Sequence, residues 1–193
     1  MNTATKQIET EPALDNKSLE LKTKNQFEVL KRIDTYIGTT NTKCTIIMSY
    51  CAAAIALTFT LLDKLDIKEA SVAFTVSIGL ASTISLISAA ACMILACLVI
   101  FPVTYSKKNA YHGTSLLFFG DIAKHANGEE GFKQRFLKTS DIKYLEDLTT
   151  QVHSLSTIAS TKFQKIQLIT IILIFHFLII SLFLALCLFN FLG

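Results

Sequence analysis

The chain has 193 residues, a net charge of +3, a hydrophobic fraction of 51% and only 17% charged residues, where an average soluble domain carries about 25%. The charges are segregated, leaving the runs Cys44–Leu62, Ala70–Ser106 and Ile166–Gly193 with none. A helix needs roughly 20 apolar residues to cross a bilayer, so this composition excludes an ordinary soluble enzyme and leaves no room for an anchor plus a separate catalytic domain. It predicts an all-α membrane protein, with three transmembrane helices and a small helical cytoplasmic part.

Residues 1–18 mix Thr, Glu, Asn and Lys with little apolar content, which reads as a disordered tail. Nothing in Met1–Lys24 resembles the apolar core of a secretory signal, so crossing one is expected to act as the insertion signal. From Leu19 a helical pattern begins. Phe27, Leu30, Ile33 and Ile37 form one apolar stripe, and Glu28, Lys31 and Arg32 form the opposite face. The small polar stretch Gly38–Lys43 is expected to cap or kink the chain before crossing one, at about 44–62. Ser49, Ala53, Ala56 and Thr60 share one face of that crossing. Crossing two is the most apolar part of the second run, about 79–101, with Ala81, Ser85, Ala89, Cys92 and Ala96 on one face. Small-residue stripes let helix backbones approach closely in lipid. Crossings one and two are therefore expected to pack tightly, in the same chain or between copies. Crossing three, about 167–190, is rich in Leu, Ile and Phe and is expected to face lipid.

The segment 103–165 separates crossings two and three. Pro102, Tyr105 and Lys107–Lys108 mark the end of crossing two. Ser115–Ala123 is apolar with a Gly-Asp break and too short to span, which suggests a buried turn plus helix. Asn127–Gly131 reads as a loop. Thr139 or Ser140 can cap the next helix, where Leu145, Leu148, Val152, Leu155, Ala159, Lys162 and Ile166 alternate in steps of three and four. That is a heptad seam, and no breaker separates it from the third apolar run. A continuous helix from Ser140 to Asn190 would be about 75 Å long. Its seam needs a partner, either the Phe27–Ile37 stripe or a second copy of the chain.

Of the 18 basic residues, only Lys64 and Lys68 fall between crossings one and two. By the positive-inside rule the N-terminus and segment 103–165 are cytoplasmic and the C-terminus lies outside. Cys44, Cys51, Cys92, Cys97 and Cys187 lie in or beside the apolar runs, where a thiol packs as a small hydrophobe. No metal spacing is visible and no cofactor is expected. His176 is the one ionisable side chain deep in a crossing besides the thiols and Tyr50. It is either a functional group or a neutral histidine bonded to a neighbouring helix. Phosphate-binding, dinucleotide-binding and hydrolase signatures are absent. The dispersed basic residues give no support for nucleic-acid binding, so the chain reads as a non-enzyme.

The run Ser115-Leu-Leu-Phe-Phe-Gly-Asp-Ile-Ala123 resembles a recurring S-L-x-F-F-G-x-I-A element, and Tyr144–Phe163 resembles its companion. With Asp34–Lys43 before crossing one, they are similar to the transmembrane effectors of Pycsar anti-phage systems, over roughly residues 26–190. The resemblance implies an effector domain over 19–190 in a bacterial inner membrane. There a partner cyclase makes cCMP or cUMP during infection, the effector impairs the membrane, and the cell dies before phage spreads. A cyclic nucleotide offers one phosphate charge and a base. Lys43, Lys162 and Lys165 are candidates for the phosphate, and Asn41, Asp121 and Gln151 for polar contacts. They are expected to converge near the membrane face. The expected partners are the lipid bilayer, the cyclic nucleotide and further copies of the chain. The alternatives are an effector of another nucleotide-signalled defence class and a scaffold that assembles through the heptad.

Overall fold

The computed structural model describes residues 15–65, 70–102 and 115–192, and all regular structure in them is helical. The elements are α1 (Asn16–Lys64), α2 (Val72–Ile100), α3 (Phe119–Ala123), α4 (Gly128–Lys138) and α5 (Asp141–Leu192). Three of them, α1, α2 and α5, are long and apolar enough to cross a membrane. The tail expected over 1–18 lies outside the described residues as far as residue 14, and α1 starts at Asn16. Tyr105, Lys107–Lys108, Lys68 and Gly193 also lie outside them.

The expected cap or kink at Gly38–Lys43 does not form, and α1 continues through it. The threonines send their hydroxyls back along the helix. Thr39 Oγ1 donates to the Thr35 carbonyl, Thr40 to Tyr36, Thr42 to Gly38 and Thr45 to Asn41, at 2.9–3.1 Å. A hydroxyl bonded to the carbonyl four residues back satisfies itself inside the helix and no longer competes as a cap.

The described residues divide into two compact units. One comprises Ile33–Thr104 and Leu155–Gly193, the other Met1–Arg32 and Tyr105–Ser154. In the first, α1 and α5 run parallel, since Tyr36 meets Phe163 and Tyr50 meets His176 and Phe177. Helix α2 runs antiparallel to α5, with Val99 at Lys162, Cys92 at Ile169, Ser88 at His176 and Phe74 at Phe189. The buried positions between these helices recur every seven residues, as a heptad requires. Buried Cys44, Cys51 and Thr58 line α1; Val99, Cys92, Ser85 and Ile78 line α2; Lys162, Ile169, His176 and Phe183 line α5. The seam read over Leu145–Ile166 therefore continues through crossing three.

Two expectations about faces are corrected. On α1, Ser49, Ala53, Ala56 and Thr60 are all exposed, and the buried stripe is Thr40, Cys44, Cys51, Ala54 and Thr58. The two stripes differ by two residues, which turns the face by about 200° at 100° per residue. Crossing three is no more exposed than crossing one. Ile169, His176 and Phe183 are fully buried, while Ser181 is exposed. The reason is complementarity of size. The Ala81, Ser85, Ala89, Cys92 and Ala96 face of α2 is buried as expected, and the larger side chains of α5 fill the space it leaves.

In the second unit, Ser140 caps α5: its Oγ accepts from the Lys143 N–H at 3.5 Å. The segment Asn127–Gly131, expected as a loop, instead opens α4 at Gly128. Glu129 and Glu130 fall in the first turn of α4, where acidic side chains favour a helix N-terminus. Gly128, with φ 60°, is the position that uses glycine's left-handed freedom to make the turn. Phe132, Phe136, Tyr144 and Phe27 form a chain of ring contacts at 6.1–6.5 Å. The turn before α3 buries Leu116 as expected, but α3 itself, expected to be buried, has no buried residue and leaves its first residue, Phe119, exposed.

Candidate functional site

Each unit holds a polar cluster that joins separate elements. In the membrane unit it centres on Lys162, which sits on the buried seam of α5 with 8% of its surface exposed. Its ammonium donates to Asn41 Oδ1 of α1 at 3.0 Å and to the backbone carbonyl of Val99 on α2. Val99 lies in the last turn of α2, where carbonyls have no partner within the helix. A cation there also complements the negative end of the helix dipole. One side chain thus joins all three long helices. No carboxylate neutralises it among these partners, so the charge is held by dipoles alone.

In the other unit the cluster centres on Ser115, which joins the two runs that carry the family resemblance. Its Oγ donates to Asp147 Oδ2 at 3.1 Å and accepts from Gln151 Nε2 at 2.9 Å. The same Oγ accepts the N–H groups of Leu117 and Phe118 at 3.1 and 3.0 Å. Asp147 Oδ2 also accepts the Leu116 N–H at 2.7 Å, and Asp121 Oδ2 accepts the Ser115 N–H at 3.1 Å. The backbone of the turn therefore depends on side chains from α3 and α5, because a turn of this kind has no ladder to satisfy its donors. Tyr144, one turn before Leu148, has its phenol pushed up by burial and, secondarily, by the negative charge of Asp147.

These positions sort the six candidate ligand residues. Asn41 pairs with Lys162. Asp121 and Gln151 meet through Ser115. Lys43 and Lys165 are exposed on α1 and α5. Ser115 and Asp147 were not among the candidates, although both lie in the runs that carry the resemblance. Asp147 reads as one more charge on a solvated face until the fold brings the Leu116 N–H to it.

The Pycsar effector protein domain matches residues 25–189 of the chain. The chain belongs to the Pycsar effector family. Neither a curated protein nor a solved structure matches it. The match spans both clusters and all three helices able to cross a membrane. It makes the chain a membrane protein of a Pycsar anti-phage system, which works beside a partner that generates a cyclic nucleotide. In both polar clusters side-chain hydrogen bonds, rather than apolar packing alone, hold different elements together.

Proposed function

We propose that the protein is a cyclic-nucleotide-triggered effector of the bacterial inner membrane, without catalytic activity of its own. The nucleotide is cCMP or cUMP from the partner cyclase. It acts on the cytoplasmic residues, and the three crossings answer by impairing membrane integrity, so that the infected cell dies. The N-terminus and segment 103–165 face the cytoplasm and the C-terminus faces outward, in keeping with the distribution of lysine and arginine.

The observation that carries this reading is the state of Lys162. A buried ammonium held by two neutral oxygens is poorly compensated, and a phosphate is a better partner than either. A nucleotide phosphate that takes Lys162 releases Val99 and Asn41 together, and with them the grip of α5 on both neighbours. Lys43 and Lys165 are exposed near the same ends of their crossings and supply further positive charge. Asn41 is freed to meet the base. Asp121 and Gln151 belong to the Ser115 cluster and are proposed for polar contacts only.

Two measurements test this. Labelled cCMP and cUMP are titrated onto the purified full chain and onto its Lys43→Ala and Lys162→Ala variants; loss of affinity is expected, and unchanged affinity removes both lysines from the site. Cells carrying the protein with its cyclase are expected to lose membrane potential on infection. A potential that never changes would leave a scaffold as the better reading.

A further inference from the structure

Thr58, Ser82, Ser85, Ser88 and His176 are buried on the facing sides of α1, α2 and α5, while other hydroxyls of the same helices, among them Ser49, Thr60, Thr83 and Ser181, are exposed. His176 is completely buried. Its Nδ1 lies 2.9 Å from Ser88 Oγ, and its ring stands edge-on to Tyr50 at 5.7 Å. Its Nε2 is buried with no hydrogen-bond partner.

The Ser88 hydroxyl decides what that nitrogen is. It has one proton and two carbonyls to give it to, Ile84 at 2.8 Å and Ser85 at 3.0 Å. Donation to either carbonyl keeps a hydrogen between the two oxygens, whereas donation to Nδ1 would leave the Oγ lone pairs facing a carbonyl oxygen at 2.8 Å, so the proton goes to a carbonyl. Ser88 Oγ is then an acceptor toward the imidazole, and Nδ1 carries the hydrogen. A neutral imidazole with its proton on Nδ1 presents a bare lone pair at Nε2. In a lipid-embedded bundle a lone pair left without a donor is unfavourable, and buried polar groups in this position ordinarily hold water.

We infer that the layer of Ser85, Ser88 and His176 is an internal hydrophilic site that holds water against His176 Nε2, and that this layer is the constriction through which water and small cations pass when the effector acts. The second half rests on the membrane-impairing function proposed above; the first does not. A path along the inside needs no rotation of apolar faces away from lipid, because the inner sides of the helices already carry the hydroxyls and the imidazole. It needs only separation of the three helices, which release of Lys162 would allow one end of the bundle to begin. Tyr50 forms the wall of the layer toward a groove of about 330 Å³ between α1 and α5, lined also by Ala53, Phe177 and Ser181.

The resting site is tested on the full chain, with ¹⁵N-labelled histidine, in vesicles of phosphatidylethanolamine and phosphatidylglycerol. Solid-state NMR should show a non-protonated Nε2 that receives magnetisation from water, in the signal that disappears in His176→Gln. A dry Nε2, or a proton on it, overturns the inference whatever cells do. The path is tested by potassium release from cells carrying the protein and its cyclase. His176→Leu is expected to abolish the release, and His176→Gln to retain it. Melting of each purified variant, together with its amount in the membrane fraction, separates a blocked path from a protein that does not fold; Ser85→Val is the second blocking variant. Potassium release from folded His176→Leu at the wild-type rate overturns the path. If the wild-type chain releases none, the membrane-impairing function and the path fall together, while a hydrated Nε2 still supports the site.

Discussion

Lys162 and Asp147 are the two charged side chains on which the clusters turn, and they differ in what holds them. Asp147 accepts two donors at a half-buried position, and hydrogen bonds to a charged group contribute about 1.5–3 kcal/mol each. Asp147→Ala should therefore destabilise the turn by about that amount. The sensitive readout is hydrogen exchange at Leu116, Leu117 and Phe118, which should accelerate while exchange in α2 does not; unchanged protection would mean that the turn is held by Leu116 packing instead. Lys162 is the opposite case. Taking a lone ammonium out of water costs several kcal/mol after relaxation, and two neutral acceptors return only part of it. Lys162→Met keeps the buried stem and removes the charge, so it should raise the melting temperature of the purified resting protein, by about 1–2 kcal/mol of stability, while the response to nucleotide is lost. A lower melting temperature would show that the bonds to Val99 and Asn41 outweigh the desolvation. Lys43→Ala, at an exposed position, should shift stability by no more than about 0.5 kcal/mol.

At the scale of elements, α5 carries Asp147 and Gln151 of one cluster and Lys162 of the other, with His176 further along, on a single helix of 52 residues. A change in the first that travels along α5 reaches the second through the helix between them. Replacing exposed Ser160 and Thr161 by glycine leaves the buried seam intact and lowers helix stability by about 1 kcal/mol per position. Protein abundance should be unchanged, and nucleotide-triggered depolarisation should weaken; full depolarisation would exclude transmission through a stiff α5. This helix was legible in the sequence because its seam passes through polar surroundings, where Leu145, Leu148 and Val152 stand out from Glu146, Thr149 and Gln151. The buried face of α1 was not. Inside a bilayer both sides of a crossing are apolar, so hydropathy marks no inner face, and two small-residue stripes with the same period competed. The threonines near Gly38 were read as breakers because their choice between capping and back-bonding is settled by the helix on either side. The Ser115 cluster was legible only as two runs of residues, since the pairing of Ser115 with Asp147 spans 32 positions.

For the whole molecule, the misread face of α1 has a consequence for assembly. Ser49, Ala53, Ala56 and Thr60 remain exposed because a different stripe packs inside the bundle. Ser49 and Thr60 return their hydroxyls to Thr45 and Ala56 at 3.1 and 2.9 Å, so the stripe presents a shallow surface without unsatisfied donors. Lipid gains little from such a surface, whereas a second helix can approach it closely. The proposed partnership of several copies therefore has its best surface here, and Ala53 sits at its centre beside the groove between α1 and α5. With the exposed Cys97 replaced by serine, Ala53→Cys should give a disulfide-linked dimer when membranes are oxidised. The same change at Leu57, on the adjoining part of the helix, should give less. Ala53→Leu should leave the monomer folded, because the added side chain points away from the buried stripe, but it should weaken the depolarisation of triggered cells. If Ala53→Cys yields no cross-link and Ala53→Leu depolarises cells as the wild type does, the copies meet elsewhere or act singly. The internal path at His176 would then have to serve within one three-helix bundle.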